Sequence, residues 1–258
     1  MNNIFKYKII NKEIAITGLQ EGAAETAIEI PETIEGIPVV EIEPETFRST
    51  SITDIKIGAN IREIREKAFY MCEKLSSVTW NCKCDVIPTN CFLGCSDLMQ
   101  FDFLGIKKVD RAAFSESGLK EVCLPENIEV VSGWAFYGCE KLSSVIWNCK
   151  CNVIPIYCFV RCSNLTQFDF SGVKKIEARA FMGSGLTSVR LSKKTAVEQS
   201  CFACCNDLEK IEWLSDRNIE KTIFAECKNI KEIFISDKVK NIEVSAFTSS
   251  HNAEISFI

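Results

Sequence analysis

Apolar residues fall along this chain in one recurring pattern. Leu75, Val78 and Trp80 form a Leu-x-x-Val-x-Trp run, and Leu142, Val145 and Trp147 repeat it. The final alternation has period two, which predicts a strand with one buried face. Ahead of each such run stands a small or apolar residue followed by phenylalanine, as in Ala68-Phe69, Cys91-Phe92 and Ala135-Phe136. This segment predicts a short helical turn or a tight bend. Five positions before the phenylalanine an aliphatic residue recurs: Ile42, Ile64, Ile87, Val109, Val131, Ile154, Ile176, Val197, Ile219 and Ile242.

The phenylalanines set the register. Phe47, Phe69, Phe92, Phe114, Phe136, Phe159, Phe181, Phe202, Phe224 and Phe247 follow at intervals of 21 to 23 residues, ten units in all. A unit of that length cannot bury its apolar stripe alone, so the copies are expected to stack into a solenoid. A larger duplication overlies the small one. Ala68–Leu119 and Ala135–Leu186 are identical at 35 of 52 positions. In each block one coil is shortened where Ser-Gly replaces the cysteine-containing turn, at Ser115–Leu119 and Met182–Leu186.

The first 40 residues differ. Tyr7 to Gly18 reads as a hairpin bent at Asn11-Lys12, and Ile28 to Ile42 leads into the first coil. Residues 1–40 are thus expected to form a cap, and residues 41–258 one continuous repeat domain. At the other end Ile255 and Phe257 are expected on a coil with nothing stacked upon it, an edge open to self-association.

Composition narrows the function. The net charge is −5, with Lys and Arg scattered, which argues against nucleic acid as a partner. No apolar run is long enough to span a bilayer, so no membrane insertion is expected. Lys6, Lys8 and Lys12 interrupt the start of the chain, which does not read as an export signal. The single histidine, His251, reads as an exposed turn residue. No phosphate-binding loop or nucleophile elbow occurs. Asp102 and Asp169 recur at one repeat position and read as solvated strand positions, not a hydrolytic dyad. Trp80, Trp147 and Trp213 read as core, and Trp134 as partly exposed. No enzyme and no cofactor are expected.

Fifteen cysteines need an account. Cys72, Cys95, Cys139, Cys162, Cys205 and Cys227 lie three after the phenylalanine. Cys91, Cys158 and Cys201 replace the small residue before it, and Cys84 and Cys151 take a slot held elsewhere by Ile or Val. Eleven thus sit where a small inward hydrophobe is expected; Cys82, Cys123, Cys149 and Cys204 remain. Packed reduced thiols are the favoured reading, ahead of disulfides. A metal set is the third reading, made of Cys82, Cys84, Cys91 and Cys95, with Cys149, Cys151, Cys158 and Cys162 as its copy. Cys82 and Cys149 are the pair expected to be open to oxidation.

The candidate site is a surface. One outward residue per coil makes a row: Lys56, Thr79, Asp102, Cys123, Ile146, Asp169, Arg190, Glu212 and Phe234. Ile146 and Phe234 are the candidate anchors in a polar field.

The unit I-x-x-I-x-x-x-A-F-x-x-C-x-x-L-x-x-V and the lead-in from Ile30 to Phe47 resemble the BspA-type leucine-rich repeat family. The resemblance covers nearly the whole chain. It implies an α/β, right-handed leucine-rich-repeat coil of about ten 22–23-residue units behind the N-terminal β-hairpin cap. It also implies binding to a protein ligand, in the manner of surface adhesins and host-interaction proteins, with no catalytic motif. Cys82, Cys84, Cys149 and Cys151 exceed what the family pattern requires.

Overall fold

A phenylalanine that returns once per coil is buried best by the ring before it and the ring after it. The computed structural model describes residues 3–250 and 253–258. In it the ten rings form one column, with neighbouring centroids 5.2–5.9 Å apart and planes within 22° of parallel. Phe47 through Phe224 are fully buried, and Phe247 is half-buried. The column runs through a single hydrophobic core that reaches from the N-terminal hairpin to the last coils.

The molecule is a right-handed β-solenoid of about 11 turns. The expected α component is a bend instead. The one short helix among the described residues is a 3-10 turn at Val244–Phe247. Residues two before the phenylalanine, such as Lys67, Trp134 and Tyr157, are left-handed, and so are those two after it, such as Met71, Gly138 and Arg161. Left-handed residues on both sides prevent a helix from propagating. They turn alternate N–H groups along the solenoid axis. Lys67, Phe69 and Met71 donate to the carbonyls of Thr89, Cys91 and Leu93 in the next coil. The same bond from the phenylalanine N–H recurs along the stack, from Phe47 to Ala68 through Phe224 to Ala246.

A cysteine three after six of the ten phenylalanines completes this bend. Its thiol donates to the phenylalanine carbonyl of the preceding coil: Cys72 to Phe47 at 2.8 Å, Cys139 to Phe114 at 3.1 Å and Cys162 to Phe136 at 3.2 Å. Cys95, Cys205 and Cys227 do the same. In the shortened coils Ser117 and Ser184 take the slot and meet the sulfurs of Cys139 and Cys205 at 3.4 Å. The following glycines are required there. A Cβ on Gly118 would lie 2.1 Å from the Ser96 carbonyl oxygen, and one on Gly185 2.0 Å from that of Ser163.

Two parallel ladders flank the column. The wider one joins Ala27–Glu29, Asp54–Ile57 and Ser77–Trp80; then Glu121–Leu124 and Ser144–Trp147; then Ser188–Leu191, Lys210–Trp213, Glu232–Ile235 and Glu254–Phe257. It is interrupted at the Asp102 and Asp169 coils, where the segment in its place is not a strand. There the Asp102 carboxylate accepts the Leu104 N–H, and the Asp169 carboxylate the Ser171 N–H, each at 2.9 Å. A short acceptor that bonds its own backbone competes with the ladder. Both aspartates are exposed as expected, but on turns, not strands.

The narrow ladder joins two-residue strands beyond its first, longer one. It runs in separate groups: Ile37–Ile42 with Glu63–Ile64; Val86–Ile87, Lys108–Val109 and Val130–Val131; Val153–Ile154, Lys175–Ile176 and Ala196–Val197; and the Ile219–Ile242 bridge. At the N-terminus Phe5–Ile10 and Glu13–Leu19 form the expected hairpin, with Asn11 and Lys12 at φ 51° and 64°. Its second strand pairs with Ile37–Ile42, so the hairpin lies directly on the first rung.

Candidate functional site

Alternation along the wide ladder sends every second side chain out. The structure brings the expected row to one side of the solenoid but divides it into three patches. Lys56 and Thr79 follow Glu29 in the first, and Cys123 and Ile146 form the second. Arg190, Glu212 and Phe234 form the third, with Ser256 after them. Asp102 and Asp169 stand at the gaps between patches.

The patches differ in what they offer a partner. In the first, Lys56 pairs with Glu29 at 2.7 Å. In the third, Arg190 pairs with Glu212, and Lys210 reaches Glu212 and Glu232 at 3.5 and 3.8 Å. The Lys210 ammonium lies 5.0 Å from the Phe234 ring centre. Phe234, a candidate anchor, is therefore half-buried under a neighbour. Ile146 is different, at 48% exposure. The exposed thiol of Cys123 is beside it on the next strand, and Met99 and Leu104 are exposed on the coil before, Leu104 at 77%.

Clefts open next to Ile146, where the ladder stops. One of about 350 Å³ is lined by Ile146 itself, Trp147, Cys149, Asp169 and Ser171. Another of about 450 Å³ is lined by Ser144, Thr166, Gln167, Phe168 and Asp169. Ile146 is outward and exposed, while Met99 and Leu104, also exposed, stand outside the expected row. Their signal was present, since both are apolar where sister coils carry Ser76 and Asn81.

The thiols separate into classes. Nine are fully buried, namely the six at the bend plus Cys91, Cys158 and Cys201. Burial pushes the pKa of seven of these up, to about 11 for Cys139 and about 12 for Cys201. Cys82, Cys84, Cys149 and Cys151 are half-buried, and Cys123 and Cys204 are exposed. All fifteen are free. The metal set of the third reading is not assembled, for among the described residues no three His, Cys, Asp or Glu side chains converge on one point. Cys91 and Cys95 lie inside the core, while Cys82 and Cys84 lie on a surface loop. Of the tryptophans, Trp213 is buried, while Trp80 and Trp147 are half-buried against the core. Trp134 stacks on Tyr157 at 4.2 Å on the bend side, half-buried as expected. His251 lies outside the described residues. Among the described residues no helix is long and apolar enough to cross a membrane.

The repeat, its inward cysteine and the ring column agree with a known pattern. The BspA-type leucine-rich repeat region matches in six copies over residues 21–143, 101–209 and 152–258. The chain belongs to the BspA-type leucine-rich repeat family. Among solved structures, this repeat protein is similar to a leucine-rich repeat protein from Bacteroides ovatus. They share 17% identity over 100% of this chain and 99% of that one, with a TM-score of 0.64. A leucine-rich cell surface protein from Faecalibacterium prausnitzii is 21% identical over 99% and 75%, also with a TM-score of 0.64. The pneumococcal vaccine antigen PcpA is 15% identical over 99% and 80%, with a TM-score of 0.55. Likeness at these identities establishes the fold. No curated protein matches the chain in sequence. In this BspA-type protein the family cysteine has a concrete role, since its thiol bonds one coil to the next.

Proposed function

We propose that this chain is a non-enzymatic, protein-binding solenoid, adhesin-like in role, whose partner lies across the wide strand face. The observation that carries this reading is the central patch. Ile146 is exposed with clefts beside it, Cys123 is exposed on the adjacent strand, and Met99 and Leu104 are exposed on the coil before, in a face that is otherwise polar or internally ion-paired. An apolar centre inside a polar rim is the usual anatomy of a binding surface. The outer patches, Lys56 and Thr79 on one side and Arg190, Glu212 and Phe234 on the other, supply that rim. The surface-protein name of the Faecalibacterium relative accords with the same role.

The test is affinity capture with the wild-type chain, followed by binding measurements on each protein identified. Ile146→Glu is expected to weaken binding by at least ~30-fold, the scale of a hot-spot loss of ~2 kcal/mol. Lys228→Glu, an exposed change on another side, serves as the control. Equal binding by Ile146→Glu and wild type removes this face from consideration. A second reading is self-association through Glu254–Phe257, where Ile255 and Phe257 are exposed. Light scattering that reports a monomer across concentrations disposes of it.

A further inference from the structure

Three loops follow the tryptophan-bearing strands, and one brace holds each of them. The Trp80 indole N–H donates to the Cys84 carbonyl at 3.0 Å, Trp147 to that of Cys151 at 2.7 Å, and Trp213 to that of Arg217 at 3.0 Å. The three also coincide with the breaks in the narrow ladder. A cleft of about 520 Å³ at the first break is lined by Cys84 together with Arg62, Arg65 and Lys83. The cleft of about 350 Å³ beside Ile146 is lined by both Cys149 and Cys151.

The third loop is an internal control. It keeps the brace although Ser215 and Arg217 stand where the first two loops carry their cysteines. The loop conformation therefore does not require a Cys-x-Cys pair. The pairs differ from the nine interior thiols in exposure, since all four cysteines are half-buried and not fully buried. In each pair the two thiols interact with one another, as Cys205 and Cys227 also do inside the core. Beyond each other, they reach only main-chain carbonyls: Cys84 that of Ile61, Cys151 that of Ile128 and Cys149 that of Cys151, each at 3.7 Å.

We propose that Cys82–Cys84 and Cys149–Cys151 are two dithiol sites that exchange with small disulfides, each closing a disulfide within its own loop. In the first step one thiolate attacks a sulfur of the small disulfide; a protein–ligand S–S bond forms and one small thiolate leaves. In the second step the neighbouring thiolate attacks the protein sulfur of that mixed disulfide, and the second small thiolate leaves. The two protein thiols are oxidised by two electrons, the small disulfide is reduced to two thiols, and the two protein protons end on those thiols. Within each pair the sulfur that accepts the hydrogen bond is held below the ordinary thiol pKa and the donor is pushed up. This favours one thiolate as the attacking group. The partner of Cys82 is thus Cys84, not the Cys149 of the sister loop.

The experiment treats the reduced full chain with oxidised glutathione at neutral pH, blocks the remaining thiols by alkylation, and maps the peptides by mass. The two Cys-x-Cys peptides are expected to lose two hydrogens each and to carry no glutathione. Cys123, exposed and without a thiol partner, is expected to stop at the adduct. Cys82→Ser places in the first loop the residue the third loop carries naturally, and circular dichroism checks its fold. In that variant Cys84 is expected to stop at the adduct too. Stable adducts on the wild-type loop cysteines, disulfides between loops, or loop thiols still reduced when Cys123 has reacted would each overturn the proposal.

Discussion

Replacement of Phe136 by alanine tests the ring column at its middle. Phe136 is fully buried between Phe114 at 5.9 Å and Phe159 at 5.6 Å. The Phe103 ring lies against it at 6.4 Å, edge-on. Removal of a buried Phe destabilises by about 3–5 kcal/mol, through lost transfer energy and the cavity left behind. A full-sized value is expected here, because the rings above and below belong to rigid coils whose spacing the backbone ladder fixes. In a stacked repeat the loss also weakens the coupling between the halves on either side. The assay is urea denaturation of wild type, Phe136→Ala and Phe247→Ala, followed by circular dichroism and tryptophan fluorescence. Phe247 is half-buried and stacks on one ring of the column, Phe224, so its loss is expected to be clearly smaller. A drop below about 1 kcal/mol for Phe136→Ala, or equal losses at the two sites, would refute the register of the column.

Two further outcomes follow from the same packing. Gly118→Ala is expected to destabilise by roughly 1–3 kcal/mol, since its Cβ would overlap the Ser96 carbonyl. Gly172→Ala, with nothing within 4 Å of the new Cβ, is expected to be neutral or slightly stabilising in the same denaturation series. The buried thiols add a pH dependence. Cys139 and Cys201 have folded pKa values raised to about 11 and 12, against about 8.5 for an unfolded thiol. Each therefore contributes stability that is complete below pH ~8.5 and is lost as pH rises toward the folded value, by at most about 1.4 kcal/mol per pH unit. Denaturation midpoints are expected to fall from pH 8 to pH 10, and a flat profile contradicts the burial of these thiols.

Residue pattern alone revealed much of this. The 21-to-23-residue spacing gave the stack, the phenylalanine register and the inward cysteines, because each is a local signal repeated many times. Ile146 was legible as an outward apolar residue. That Lys210 covers the candidate anchor Phe234 was not legible, because Lys210 comes from the preceding strand. Met99 and Leu104 lie in the same face but outside the central row, so a search along that row passed over them.

What the amino-acid order determined by itself is the column, since a ring at a fixed interval can be buried in no other way. What only the tertiary structure decided is where the ladders stop. The Asp102 carboxylate either leaves the backbone to its neighbours or bonds the Leu104 N–H, and the stacked coils settle which. The tryptophan-braced loops were decided the same way. They set Cys82 against Cys84 and Cys149 against Cys151, because an indole N–H found a carbonyl four residues on.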